Sequence, residues 1–113
     1  MCGMANHAVK PHLFYILLAL AEGDRHGLAI ARDAQELSGG QVRLWPATLY
    51  GSLEELRARK WIEELAEHPE DESERKRYYR LTRTGRAALN DEAARLARLA
   101  RLARSRARLG DAR

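Results

Sequence analysis

The longest apolar run in the chain is nine residues, Leu13 to Ala21. Nearly every side of it is apolar, so as a helix it must be buried all round. Other elements have to close over it, and the rest of the chain must supply them. A bilayer crossing takes ~18–20 apolar residues, so this run is a core helix and no membrane association is expected. No charged leader with an apolar stretch and a cleavage site is present, so no secretory signal is expected. The 113 residues amount to one domain, and 45% hydrophobic with 32% charged residues suits a soluble, folded chain. Aromatics are only 6%, so the core must be mostly Leu, Ala and Ile. A domain of this size buries roughly 65% of its unfolded surface, and a second copy would help.

Cys2 is the single cysteine, which cannot form an internal disulfide and fits a reducing, cytoplasmic compartment. Cys2, His7 and His12 are irregularly spaced, so no metal site is expected. There is no nucleophile–base pair, no paired carboxylates and no Gly-rich phosphate loop. The chain is therefore not expected to be an enzyme or to hold a cofactor.

The charge is unevenly placed. Residues 1–74 carry 7 basic and 13 acidic side chains, a net of −6. Residues 75–113 carry 13 basic and 3 acidic ones, a net of +10. A basic second part points to a polyanionic partner, though a solvated helix face would read the same way.

Residues 1–10 lack periodicity and are expected to form a flexible tail. Pro11 suits the first turn of a helix, and Gly23 ends it. Asp24 can cap a second helix from about Arg25 to Leu37, with Ile30, Ala34 and Leu37 as its apolar stripe. Ser38-Gly39-Gly40 is a stop. After the connector Gln41 to Trp45, Pro46 opens a third helix to about Arg59, with Leu49, Leu53 and Leu56 facing inward. At about 100° per residue, Ala47 and Gly51 face outward, flanked by Thr48 and Tyr50. Trp61 to Ala66 and Arg77 to Leu81 read as strands around the polar loop His68 to Glu74, making a β-hairpin. The adjacent tyrosines 78 and 79 should face opposite sides. Thr82 or Thr84 can cap a last helix bearing Leu-Ala-Arg three times over residues 96–104. Leu89, Ala93, Leu96, Leu99, Ala100, Ala103 and Ala107 form a narrow seam on it, and the arginines spread over its other sides.

Three helices with a tight second connection, a hairpin and a final helix make a winged helix-turn-helix. The fold class is thus mainly α with a small β-hairpin, plus a long C-terminal dimerisation helix. The expected divisions are a tail at 1–10, a DNA-binding domain at 11–83, the dimerisation helix at 84–109 and a tail at 110–113. The outward N-terminus of the third helix can enter a major groove, which admits an α-helix. Its free amides favour phosphate.

The residues then become more specific. His26-Gly27 opens the second helix and Ala47-Thr48-Leu49-Tyr50 the third. Leu53, Leu56 and Trp61-Ile62 follow, then Arg77-Tyr78-Tyr79-Arg80-Leu81-Thr82 and Gly85. This pattern, over roughly residues 13–89, resembles the PadR family of bacterial transcriptional regulators. The resemblance implies a homodimeric regulator, usually a repressor, with the third helix and wing on double-stranded DNA. It also implies dimerisation through the C-terminal helix, here in the shorter of the family's two layouts. Many members respond to phenolic acids or hydrophobic drugs near the dimer interface. The equivalent pocket would use Phe14, Tyr15, Leu96 and Leu99, with an arginine from the last helix. That set favours a small aromatic or phenolic acid over a flat cationic drug.

Three positions depart from the family pattern. Ala47 and Lys60 stand where glycine is usual, and Lys60 must then accept a left-handed backbone. Residues 63–74 hold seven acids and no Lys or Arg, so phosphate should repel the wing tip. The DNA-facing set is therefore Trp45, Ala47, Thr48, Tyr50, Gly51, Arg75, Lys76 and Arg77. Each has a plainer alternative. Tyr50 could pack on the wing, Trp45 could serve the core or a hinge, and Arg75 to Arg77 could be a solvated wing edge. The arginines of the last helix are expected to keep a dimer helix soluble. The competing function is a winged-helix protein-interaction module without specific DNA binding.

Overall fold

The structure, a computed structural model, describes residues 8–65 and 77–111. Its elements run α1 (Pro11–Ala21), β1 (Arg25–His26), α2 (Gly27–Leu37), α3 (Pro46–Ala58), β2 (Ile62–Leu65), β3 (Tyr78–Leu81) and α4 (Arg83–Asp111). The strands form one antiparallel sheet in the order β1-β3-β2. This is a winged helix-turn-helix with a long C-terminal helix.

Pro11 occupies the first turn of α1, as its missing N–H allows. Leu13, Ile16, Leu17 and Leu20 are each at most 1% exposed. The apolar run is covered by α2, α4 and β3. The core continues through Ile30, Leu49, Leu53 and Leu56 to Ile62, Tyr79, Leu81 and Leu89. Val9, assigned to the tail from sequence, is buried and belongs to this core. Residues 1–7, including Cys2 and His7, lie outside the described residues.

The second helix starts later than the sequence implies. Arg25 and His26 pair with Tyr79 and Tyr78 as β1, so α2 begins at Gly27. The cap is His26, not Asp24: its Nδ1 accepts a hydrogen bond from the Ala29 N–H at 3.3 Å. Asp24 instead meets Arg80 at 3.5 Å. A two-residue strand has no periodicity of its own, and only the edge offered by β3 defines it. Ile30 and Ala34 are buried, but Leu37 is 54% exposed. Leu37 is the final residue of α2 and lies with the last turn of α1 along an open groove, so no third element covers it.

Ser38 accepts from the Val42 N–H at 2.8 Å and donates to the Gln35 carbonyl at 3.1 Å, fixing the turn towards α3. At the end of α3, Lys60 takes φ +64°, the left-handed conformation its position required. The Trp61 N–H donates to the Leu56 carbonyl at 3.1 Å and closes the helix.

Thr82 joins the wing to α4. Its hydroxyl donates to the Lys60 carbonyl at 2.7 Å and accepts from the Gly85 N–H at 3.0 Å, making it the helix cap. Its own N–H donates to the Trp61 carbonyl at 3.0 Å. Gly85 sits directly on that carbonyl, where a Cβ would stand 1.9 Å from the oxygen. Tyr79 is buried and Tyr78 half-buried, as alternation requires. Helix α4 runs for 29 residues, two beyond the sequence estimate and starting one earlier. Leu89, projected onto its dimer seam, is already buried in the core of its own chain. Beyond Arg95 nearly every side chain through Leu109 is exposed, Ala100 being half-buried.

Candidate nucleic-acid interface

Helix α3 turns Leu49, Ser52, Leu53 and Leu56 inward. Ala47, Thr48, Tyr50 and Gly51 are consequently exposed on its outer face. Trp45 precedes the helix with extended backbone and offers no side-chain cap, while Pro46 follows at the first position. The amides of the first turn are left open, where the helix dipole favours an anion. Trp45 is 67% exposed, so the core role considered for it is not what the fold gives it.

Tyr50 is 46% exposed, and its ring leans on α2. A Cβ at Gly27 would lie 3.1 Å from the Tyr50 hydroxyl and 3.4 Å from its ring. The His26-Gly27 and Thr48-Leu49-Tyr50 elements are therefore one packing unit. His26 caps α2, and Gly27 leaves room for the phenol that steers α3. The supporting surface for Tyr50 is α2 in addition to any contact with the wing.

Acid–base pairing limits which cations are available. Arg57 pairs with Glu54 at 2.7 Å and Arg59 with Glu55 at 3.0 Å, neutralising the second half of α3. Arg80 stands 3.5 Å from both Asp24 and Glu63. Arg77 is exposed at the start of the returning strand and makes no ion pair among the described residues. Arg75, Lys76 and the acidic loop lie outside those residues. Under the sheet, burial pushes the Tyr79 phenol above its ordinary value, and Glu64 directly across the strand pair adds to it. Tyr79 is a neutral core residue. Sequence reasoning missed one grouping: Arg32, Gln35 and Arg43 surround a groove of about 410 Å³ that reaches Trp45. The only sequence signal was that Arg32 and Gln35 lie off the apolar stripe of α2.

This arrangement is matched by known proteins. A family model of the PadR-like transcriptional regulators covers residues 16–91. The chain belongs to the PadR-like family. That family consists of transcriptional regulators, not enzymes. A 37.1 kDa protein of transposon TN4556 from Streptomyces fradiae is 40% identical over 82 residues, 73% of this chain and 22% of that protein. The chain thus spans about a fifth of that relative. A PadR family regulator from Clostridium difficile superposes with a TM-score of 0.72 at 20% identity, over 85% of this chain and 97% of that one. BpsR of Bordetella bronchiseptica, whose DNA binding is regulated by 6-hydroxynicotinic acid, superposes at 0.64 with 23% identity, over 85% and 65% of the two chains.

A second groove of the PadR-like chain, about 440 Å³, opens between α1 and α4. Phe14, Tyr15 and Leu96 line it as sequence implied, with Glu92 and Arg95, whereas Leu99 does not. Glu92 is 4% exposed and accepts two hydrogen bonds from Arg95, at 2.8 and 2.5 Å. These bonds, joined by one from the Val9 backbone, hold its carboxyl below the usual range despite burial. The pair pins the N-terminal segment to α4, and it holds the Arg95 guanidinium more firmly protonated. Because the folded value is lowered, the stabilisation is present above the unfolded value of about 4.3 and fades as pH falls through the folded value. Glu92→Gln should cost ~1 kcal/mol at neutral pH. Thermal unfolding across pH should show the gap between variant and wild type shrinking once pH falls below the unfolded value. A constant gap across that range would deny the carboxylate its role. Among the described residues no helix is long and apolar enough to cross a membrane, and no cluster of metal-ligating side chains occurs.

Proposed function

We propose that this PadR-like chain is a homodimeric, sequence-specific DNA-binding repressor acting in the cytoplasm. The carrying observation is the exposed first two turns of α3, uncapped at their N-terminus and free of acidic side chains until Glu54. Thr48 and Tyr50 read base edges, Ala47 and Gly51 permit close approach, and Trp45 stands at the mouth. Arg77, with Arg75 and Lys76, contacts phosphate from the wing. The division is a DNA-binding unit over 11–83 and a dimerisation helix from 84. The seam runs along Ala93, Leu96, Leu99, Ala100, Ala103 and Ala107.

Repression is relieved by a small aromatic or phenolic acid in the groove between α1 and α4. Apolar walls from Phe14, Tyr15 and Leu96 suit a small aromatic ring, and the Arg95 N–H groups not given to Glu92 are the donors left for its acid. The acid that regulates BpsR belongs to the same chemical class.

Thr48→Ala and Tyr50→Ala should each weaken specific binding by about 1–3 kcal/mol while sparing random duplex. Tyr50→Phe keeps the ring against Gly27 and serves as the folding control. Titrations on a cognate and a scrambled duplex read the difference. Equal losses on both duplexes for Tyr50→Ala would make it a packing residue alone.

A further inference from the structure

Helix α2 separates charge by sign. One flank carries Asp33, Glu36 and the exposed Leu37 beside Glu22 of the α1 terminus. The other carries Leu28, Ala31, Arg32 and Gln35, and with Arg43, Leu44 and Trp45 of the connector it encloses a groove of about 410 Å³. Among the described residues no acid lines that second groove. Arg32 and Arg43 are exposed and make no ion pair among the described residues. Arg25, on the opposite flank, is held by Asp33 at 3.5 Å. The groove also has two of the most exposed large apolar side chains, Trp45 at 67% and Leu28 at 64%. It is continuous with the start of α3 through Trp45.

We propose that Arg32, Gln35, Arg43 and Trp45 form a phosphate-holding surface that anchors one DNA strand beside the recognition helix. The two guanidinium groups supply the charge, the Gln35 amide a neutral donor, and the Trp45 indole a flat face against the sugar. This rests on the DNA-binding reading above and gives it a positioning device. It also answers a difficulty in the sequence. A hairpin with seven acids between residues 63 and 74 is a poor anchor on a polyanion. Phosphate contacts fix register and carry no sequence information, so they need not come from the wing.

The full chain should be titrated by anisotropy against a random 30-base-pair duplex and a fragment of its own upstream region, over a KCl series. The Arg32→Gln/Arg43→Gln double variant should weaken both duplexes alike, on the order of tenfold, and flatten the salt slope by about two. Arg98→Gln/Arg101→Gln, which removes the same two charges from exposed α4, should leave both unchanged. Trp45→Phe should remove most of the DNA-induced fluorescence change, because Trp61 is half-buried against Arg59. An unchanged slope in the double variant, while Thr48→Ala still loses specific binding, would overturn the anchor and leave the regulator reading intact. So would an equal loss with Arg98→Gln/Arg101→Gln, which would make the effect one of net charge. Loss on the upstream fragment alone would recast the residues as base readers and likewise overturn it. Wild-type protein that binds neither duplex would overturn both readings together.

Discussion

Gly85→Ala should destabilise the chain by about 3 kcal/mol, the upper part of the range for overpacked sites. The methyl group would sit 1.9 Å from the Trp61 carbonyl oxygen and 2.8 Å from its carbon. Both are backbone atoms, tied in place by the Thr82 N–H. Neither can rotate away, so α4 would have to lift off the wing. Lifting it would stretch the Thr82 hydroxyl bonds to Lys60 and Gly85 and withdraw Leu89 from the core. Thermal unfolding should show a loss on the order of 10 °C. Gly27→Ala is the informative contrast. There the methyl would meet the far end of Tyr50 at 3.1 Å, and a side chain can give way. A cost below ~1 kcal/mol is expected at Gly27. Equal melting of the two variants would mean that α4 is not seated on Trp61 as described.

Leu96→Glu with Leu99→Glu should convert the protein from dimer to monomer. Helix α4 rises about 1.5 Å per residue, so its 29 residues extend far past the domain. The molecule measures 62 × 36 × 23 Å as a result. Nearly every residue past Arg95 is exposed to some degree in the single chain, and a helix without tertiary support is marginal in water. Leu96 and Leu99 are 39% and 41% exposed in one chain, on the same side as Ala100, Ala103 and Ala107. Small residues there allow close approach of a second helix. With about two fifths of each leucine still to be covered, each would contribute on the order of 1 kcal/mol. Two glutamates per chain would remove that burial and set four like charges in one seam. Sedimentation at equal concentration should report monomer, circular dichroism should show less helix, and DNA affinity should fall with the paired half-sites. A variant that remains a dimer would place the interface elsewhere.

Much of this was legible from residues alone, where a local rule decided the outcome. An all-round apolar run had to be a central helix. Leu49, Leu53 and Leu56 fixed the inward side of α3 and so exposed Thr48 and Tyr50. The left-handed turn at Lys60 came from the resemblance, which places a glycine there. The errors came where distant chain segments decide. Strand β1 exists only because Tyr78 and Tyr79 offer it an edge. Leu37 is exposed because its neighbouring helix ends, and Leu89 is buried because α1 reaches it. Arg32 and Arg43 are eleven positions apart in sequence, and only the turn at Ser38 brings them together. The same holds for Gly85, whose need for a bare Cα is set by the Trp61 carbonyl.

The most direct test is a nuclease footprint of the protein on the region upstream of its own gene, with wild type and Thr48→Ala at matched salt. Wild type is expected to protect one stretch with two related halves about 10 base pairs apart centre to centre. Thr48→Ala should lose that protection while still binding random duplex. Uniform protection by both proteins, or none by folded wild type at low salt, would contradict sequence-specific binding through α3.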